Sequence, residues 1–495
     1  LRGLRADLAA LGLGAFAALA LPPVYALPVL LVSFPGLLAQ IDAAPGPLVA
    51  ARRGWWFGFG LYLVGLYWIT EAILIEAARF WWFVPIAVPA LSATLAAFIA
   101  AAAYVARFAR AGWPRVLALA GAWVLADMAR QFIGTGFPWN LLGSVWEFPG
   151  RLGDVFIQPA ALFSEHGLTL LTVVLALTPM LNWRWRGAGV VLVGAWAAFG
   201  IARLHQPSLP VPPLSVVLVQ GNVAEGQKWD RTLVDSIFER YLRLTVEGMA
   251  RTGGGPAVVV WPETASPFLL QRDTVARQYI SQAANGAPAL VGALRYDAAG
   301  RLRNSLFALT DPGTVADTYD KWHLVPFGEY QPAWFPAGIQ IVPGGGLAPG
   351  SGPKTLHVPG LPPVGPFICY EAIFPGQVVD RADRPAWMVN ITNDAWFGDS
   401  SGPRQHLAAA RMRAVEEGLP LLRAANTGIT AAFDAHGREL ARLERATAGT
   451  LVVPLPPALP APPFARFGLV IPGLFAAGVL ALGLLVGRRK ETHQK

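Results

Sequence analysis

Three short stretches of this chain hold side chains with usable chemistry. The first is Pro366-Phe367-Ile368-Cys369-Tyr370-Glu371, which contains the only cysteine among 495 residues. Cys369 ends an apolar run that reads as a buried strand, and a helix or tight turn is expected to start just after it. A thiol at such a strand end faces the first N–H groups of the next element, where both a thiolate and a developing oxyanion are stabilised. The second stretch is Trp261-Pro262-Glu263, directly after Val258-Val259-Val260. A carboxylate at the end of a buried strand is expected to be desolvated, which would raise its pKa toward that of a useful base. The third runs from Tyr319 to Tyr330, where Lys321 and Glu329 sit in mostly apolar surroundings. Taken singly, each has a structural reading. Cysteine packs as a small hydrophobe, a strand-end glutamate can cap a helix, and Lys321 can pair with Asp320 on the surface. One cysteine excludes an internal disulfide and any CxxC metal site, so no metal ligand set is read.

These side chains need a scaffold that holds strand ends together. Short β-type runs are predicted at 214–219, 257–261, 289–294, 305–309, 364–368, 387–391, 421–424 and 430–433. Helical patterns fall at 232–250, 274–284 and 404–417. This alternation predicts an α/β domain over 206–466, large enough for its own core. Pro-rich linkers at 207–213 and 454–463 bound it.

Outside that stretch the chain is too apolar for a soluble protein. It is 54% hydrophobic and 14% charged overall, with a mean hydropathy of +0.44. Seven membrane helices are predicted near 7–21, 25–41, 54–75, 83–105, 114–128, 161–181 and 187–204, and an eighth near 467–486. Residues 8–20 read as a first span and not as a cleaved leader, because further spans follow with no clear cleavage site. The net charge of +8 sits mostly at the ends of apolar segments. Arg2, Arg5, Arg52, Arg53, Arg107, Arg110, Arg115, Arg184, Arg186, Arg488, Arg489 and Lys490 all fall on one side if the N-terminus is cytoplasmic. That asymmetry predicts cytoplasmic termini and an external 206–466 domain. It also removes the need for a nucleic-acid partner. Between spans, Gly134-Thr135-Gly136-Phe137-Pro138-Trp139-Asn140 reads as a non-helical loop at the membrane surface.

Glu263, Lys321 and Cys369 in this chain order resemble the nitrilase superfamily, and the flanking spans narrow the resemblance to its membrane-embedded branch, the apolipoprotein N-acyltransferases. The resemblance covers nearly the whole chain. Its motifs are Val219-Gln220-Gly221-Asn222, Lys228-Trp229-Asp230, Trp261-Pro262-Glu263-Thr264, Lys321 through Leu324-Val325-Pro326-Phe327-Gly328-Glu329, and Cys369-Tyr370-Glu371. They continue in Ile391 to Gly398, Gln405-His406-Leu407, Arg411-Met412-Arg413, and Arg423-Ala424-Ala425-Asn426-Thr427-Gly428, with Gly136-Phe137-Pro138-Trp139 in the membrane part.

The resemblance implies a multi-pass α-helical membrane domain (1–205), an α-β-β-α sandwich catalytic domain on the periplasmic side (206–466), and a last helix with a cytoplasmic tail (467–495) in a bacterial inner membrane. It implies a cofactor-free, two-step acyl transfer. Glu263 takes the thiol proton, Cys369 attacks an acyl ester of a phospholipid, and Lys321 stabilises the charge. The α-amine of a diacylglyceryl-modified apolipoprotein then attacks the thioester. Glu329 and Glu371 are expected to hold Lys321 or move protons, and Tyr370 and Trp229 to shape the pocket.

Moving a chain of about sixteen carbons into water costs about 12 kcal/mol at ~0.8 kcal/mol per CH₂, so such a site must open at the bilayer. Trp334, Phe335, Ile339 and Ile341, followed by Gly344-Gly345-Gly346, predict a lipid-facing lid within 330–353. Two other readings stand beside this one. A membrane-anchored amidase would share the triad but use water as acceptor. A transporter would carry paired charges within its spans, for which only Glu71 and Asp127 with Arg130 are candidates.

Overall fold

The computed structural model describes residues 2–75, 80–228, 230–334 and 346–488. The chain forms two compact units. One comprises Leu1–Gln206, Asp399–Ala408 and Pro463–Lys495, and the other Pro207–Gly398 and Ala409–Pro462.

The first unit is helical. Helices lie at every expected span: Arg2–Ala17, Leu30–Asp42, Pro47–Gly65, Val84–Ala106, Trp113–Arg130, Ala160–Leu177, Trp183–Leu204 and Val470–Arg488. Four helical segments among the described residues are long and apolar enough to cross a membrane: Gly3–Ala20, Trp81–Ala106, Ala160–Met180 and Trp183–Leu204. The stretch expected as one span at 54–75 is instead two helices, Pro47–Gly65 and Ile69–Leu74. The break has a local cause. The Gly65 carbonyl accepts from Asn140 Nδ2 (2.9 Å) and Gln405 Nε2 (3.3 Å) instead of a following turn, and this satisfies a helix end with side chains. The first and third helices meet through glycine. A Cβ on Gly14 would lie 1.8 Å from the Phe57 carbonyl oxygen, and one on Gly60 would lie 2.1 Å from that of Leu11. Only small residues allow backbones this close.

The loop at 134–140 is non-helical, as its Gly and Pro content predicts. Arg130 closes it against the preceding helix. Its carbonyl accepts from Phe137 N (3.1 Å), and its Nη1 donates to the Trp139 carbonyl (2.9 Å). The same guanidinium pairs with Asp127 at 2.9 Å, fully buried.

The second unit is a two-sheet sandwich. Its first sheet has the order β11-β1-β2-β3-β4-β5, with β1 Ser215–Gln220, β2 Ala257–Ser266, β3 Ala289–Tyr296, β4 Leu302–Thr310, β5 Thr314–Asp320 and β11 Gly449–Pro454. The second has the order β10-β9-β8-β7-β6, with β6 Val364–Ile368, β7 Trp387–Thr392, β8 Leu421–Ala425, β9 Thr430–Phe433 and β10 Glu439–Leu443. Strands β1, β2 and β3 run parallel, and so do β6, β7 and β8.

Side-chain alternation builds the layers. Val216, Leu218, Val258 and Val260 point between the sheets and meet Val364, Ile368, Val389 and Ile391. Their neighbours Val217, Val219, Val259 and Trp261 point outward onto Ile237, Phe238, Tyr241 and Ile280 of helices Val234–Ala250 and Thr274–Ala283. Each such buried Val, Leu or Ile contributes roughly 1.5–3 kcal/mol. The parallel strands are therefore held rigidly, and their C-terminal ends are fixed platforms. Strands β5, β10 and β11 were not expected from the sequence.

Candidate active site

Each of the three sequence-predicted catalytic side chains stands where a strand ends or breaks. Glu263 lies within β2, which continues to Ser266 and does not stop at Trp261. The β2–β3 register shifts between Trp261 and Ser266, Pro262 has no N–H to pair, and Thr264 has φ +47°. This bulge re-aims Glu263 out of the ladder. Gly292 on β3 makes room for it, since a Cβ there would lie 2.1 Å from the Pro262 carbonyl oxygen. Lys321 directly follows β5, and its N–H donates to the Asn304 carbonyl on β4 (2.8 Å). Cys369 directly follows β6 and opens a 3-10 turn, Cys369–Ile373. Its φ of +50° is a left-handed conformation rare for a side chain other than glycine, and such strain concentrates at functional sites.

The polar groups converge. Lys321 is 1% exposed. Its Nζ donates to Glu263 Oε1 (3.1 Å) and Glu329 Oε1 (2.8 Å). Asn304 Nδ2 donates to the same two oxygens, at 2.7 and 3.1 Å. Two donors and two carboxylates thus form a closed square. The other oxygen of Glu263 accepts from Asn393 N (2.8 Å), just past β7, and the other oxygen of Glu329 accepts from Val325 N (2.8 Å). The surface pairing of Lys321 with Asp320 does not form, because Asp320 turns to Arg295 Nε (2.7 Å) and Ser305 Oγ (2.7 Å).

The electrostatics correct one expectation. Burial does push Glu263 up, but the charges of Lys321 and Lys228 and the hydrogen bonds from Lys321 and Asn304 outweigh it, and its carboxyl sits below the usual range. Cys369 goes the other way. Burial and then the Glu263 charge push its thiol up, against the pull of Lys321. Burial pushes Lys321 down, yet the charges of Glu263 and Glu329 outweigh it and hold its ammonium well above the usual lysine range. At neutral pH the resting pair is therefore a carboxylate beside a thiol. A carboxylate of this kind is able to accept a thiol proton, and a buried ammonium is able to stabilise a developing negative charge.

Glu371 stands outside the square. It accepts from Ile368 N (2.6 Å) and Tyr319 hydroxyl (2.8 Å) on one oxygen, and from Trp322 N (2.7 Å) and His323 N (3.3 Å) on the other. It ties the end of the cysteine strand to the backbone just after Lys321 and to the Tyr319 hydroxyl before it. Burial pushes its pKa up to about 7 despite those bonds. Tyr370 is buried with its ring against Phe374 at 5.2 Å. Of the predicted lid, Trp334 is 69% exposed with its ring 5.9 Å from that of Phe327. Phe335, Ile339, Ile341 and Trp229 lie outside the described residues.

Sequence reasoning gave no role to Asn304, Asn393, Glu225 or Lys228. Asn393 Nδ2 donates to Glu225 Oε2 (2.7 Å), and Asn426 Nδ2 holds Asn393 Oδ1 (2.9 Å). Asn393 follows β7 as Cys369 follows β6, and that common position after a parallel strand was the available signal.

Comparison with known proteins identifies the family. Residues 218–460 match the carbon-nitrogen hydrolase family, and residues 13–178 match the apolipoprotein N-acyltransferase N-terminal domain. The apolipoprotein N-acyltransferase of Brucella melitensis is 38% identical, with 100% of this chain and 98% of that protein aligned. That of Rhodopseudomonas palustris is 36% identical over 95% of this chain and 93% of its own. Among solved structures, a carbon-nitrogen hydrolase from Helicobacter pylori aligns with 57% of this chain and 97% of its own, at 14% identity and a TM-score of 0.39. Aligned along their whole length with relatives more than a third identical to it, this chain belongs to the apolipoprotein N-acyltransferase family.

Proposed function

We propose that this acyltransferase takes its acyl chain from a phospholipid, holds it as a thioester on Cys369, and passes it to the α-amine of a diacylglyceryl-modified lipoprotein. The observation that carries this reading is the square of Lys321, Asn304, Glu263 and Glu329, next to a buried thiol on a strained turn. Glu263 accepts the thiol proton while sulfur attacks the ester carbonyl. Lys321 stabilises the oxyanion. Glu263 then gives the proton to the departing lysophospholipid oxygen and is an ionised carboxylate again. In the second half the α-ammonium gives up one proton to water, the free amine attacks the thioester carbonyl as Glu263 takes a second proton from nitrogen, and Glu263 passes that proton to the departing Cys369 thiolate. Glu329 positions Lys321 directly, Glu371 does so through the Tyr319 hydroxyl and the backbone that follows Lys321, and Tyr370 packs beside the nucleophile.

The exposed Trp334 supports a lid within 330–353 that admits lipid chains. The distribution of arginines supports a catalytic stretch at 206–466 on the periplasmic side of the inner membrane, with both termini cytoplasmic. Protease added outside spheroplasts should cut that stretch, and complete protection there would reverse the orientation.

The rival is hydrolysis of a small amide. The enzyme in micelles, given labelled phospholipid with and without a lipopeptide carrying the free diacylglyceryl-cysteine amine, separates the two. Acyl transfer that depends on the amine supports the proposal. Release of free fatty acid at the same rate with or without the amine refutes it.

A further inference from the structure

Beside Lys321 the second unit buries another lysine. Lys228 closes the short helix Glu225–Lys228 and is 8% exposed. Its Nζ donates to the Glu263 carbonyl (3.3 Å) and to the Thr264 hydroxyl, both on the β2 bulge. The helix is itself anchored. Val223, just before it, exchanges two hydrogen bonds with the Asn426 amide (2.9 and 2.7 Å), and Glu225 is held by Asn393 (2.7 Å). The ammonium is therefore delivered to the bulge from a fixed point. It bears on the two residues whose backbone decides where the Glu263 carboxylate goes.

Resting on the acyl-transfer reading above, we propose that Lys228 is a positioning residue: it clamps the Glu263–Thr264 bulge and so aims the catalytic carboxylate. Two observations carry this. The bulge is strained at Thr264 (φ +47°) and needs an external tie to persist. Gly292 gives it space but no bond. Lys228 supplies two hydrogen bonds there; burial pulls its pKa down, and the charges of Glu225 and Glu263 act against that pull. Its charge also acts on the site. It is felt by Glu263, together with that of Lys321, and it bears on Cys369 as well. The groups facing this centre are Lys228 and Glu225 from the short helix, Glu263 from β2, Lys321 and Glu329 beyond β5, Cys369 beyond β6, and Asp394 beyond β7. Removing one of two cations beside Glu263 shifts its titration upward, so the acidic limb of the rate moves to higher pH.

The test uses the full chain in detergent micelles. Lys228→Met, Lys228→Arg and Thr264→Val are compared with wild type in single-turnover formation of the Cys369 thioester from phospholipid, across pH. Lys228→Met should be slower by about tenfold or more, the scale of one lost hydrogen bond. Its acidic limb should move to higher pH with the KM for phospholipid unchanged. Lys228→Arg should recover part of the rate and the wild-type limb. Thr264→Val should lose about threefold with the limb in place, since the charge remains. Wild-type rate and limb in Lys228→Met overturn the proposal. If Lys228→Met fails to fold, Thr264→Val decides, and a wild-type rate there overturns it. Absence of a thioester in the wild type itself would refute the acyl-transfer reading instead.

Discussion

Replacing Lys321 with methionine removes the ammonium and leaves the rest of the square. Glu263 and Glu329 then present one oxygen each to the same Asn304 amide, at 2.7 and 3.1 Å, with no cation between them. Two carboxylates so placed cannot both stay ionised, and one takes up a proton. Two separate losses follow. Stability falls by about 3–5 kcal/mol, the cost of breaking a buried ion pair by deleting one partner. Thioester formation falls by about 10²–10³-fold, the cost of removing one oxyanion donor. A second substitution separates them. Adding Glu329→Gln to Lys321→Met removes the like charge, so most of the stability should return while the rate stays low. The assay is intact-protein mass spectrometry of the acylated enzyme, quenched over time after mixing with phospholipid, beside thermal unfolding of each variant. A rate within about threefold of wild type in Lys321→Met would refute the electrostatic role. Recovery of rate together with stability in the double variant would refute it equally, since Lys321 would then only hold the fold.

Glu371 gives a prediction with a pH window. Burial raises its pKa from 4.5 to about 7, so the folded protein keeps a proton that the unfolded chain loses. The stabilisation is full below pH 4.5 and is lost as pH rises through 7, an amount of about 3 kcal/mol at most. Glu371→Gln cannot titrate, so the difference in unfolding temperature from wild type should change across that window, and a constant difference would refute the assignment. Trp334→Ser should slow acylation by long-chain phospholipid about tenfold or more, on the scale of losing one buried aromatic contact, while a short-chain soluble ester still acylates Cys369 normally. Equal losses on both substrates would make the loop structural.

The proposed nucleophile and its partners stood out in the sequence because their types contradict their surroundings. A thiol, a carboxylate and a lysine closing or interrupting apolar runs need a reason, and their order supplied one. Asn304 was not legible. It sits between Arg303 and Ser305 in an ordinary polar stretch of β4, and its role exists only because β4 pairs antiparallel with β5. Strand β5 was missed because Thr314 to Asp320 is polar and forms the sheet edge, where burial does not select apolar side chains. The solvated edge strand β10 escaped for the same reason. The sign of the Glu263 shift was misread because burial is visible in the local run. The opposing cations come from Lys228, 35 residues earlier, and Lys321, 58 residues later. The helices of the first unit were legible from hydropathy. The break after Gly65 was not, since it depends on side chains of Asn140 and Gln405, 75 and 340 residues away.

In the proposed mechanism Cys369 carries the acyl chain between donor and acceptor. The direct measurement is the mass of the enzyme after incubation with a phospholipid of defined chain length, followed by addition of a diacylglyceryl-cysteine peptide. The account predicts one acyl adduct, mapped to Cys369 and cleaved by hydroxylamine, that disappears as N-acylated peptide forms, and no adduct in Cys369→Ser despite an unchanged fold. N-acylated peptide made at the normal rate by Cys369→Ser, or by wild type with no adduct at Cys369 at any time, would contradict it.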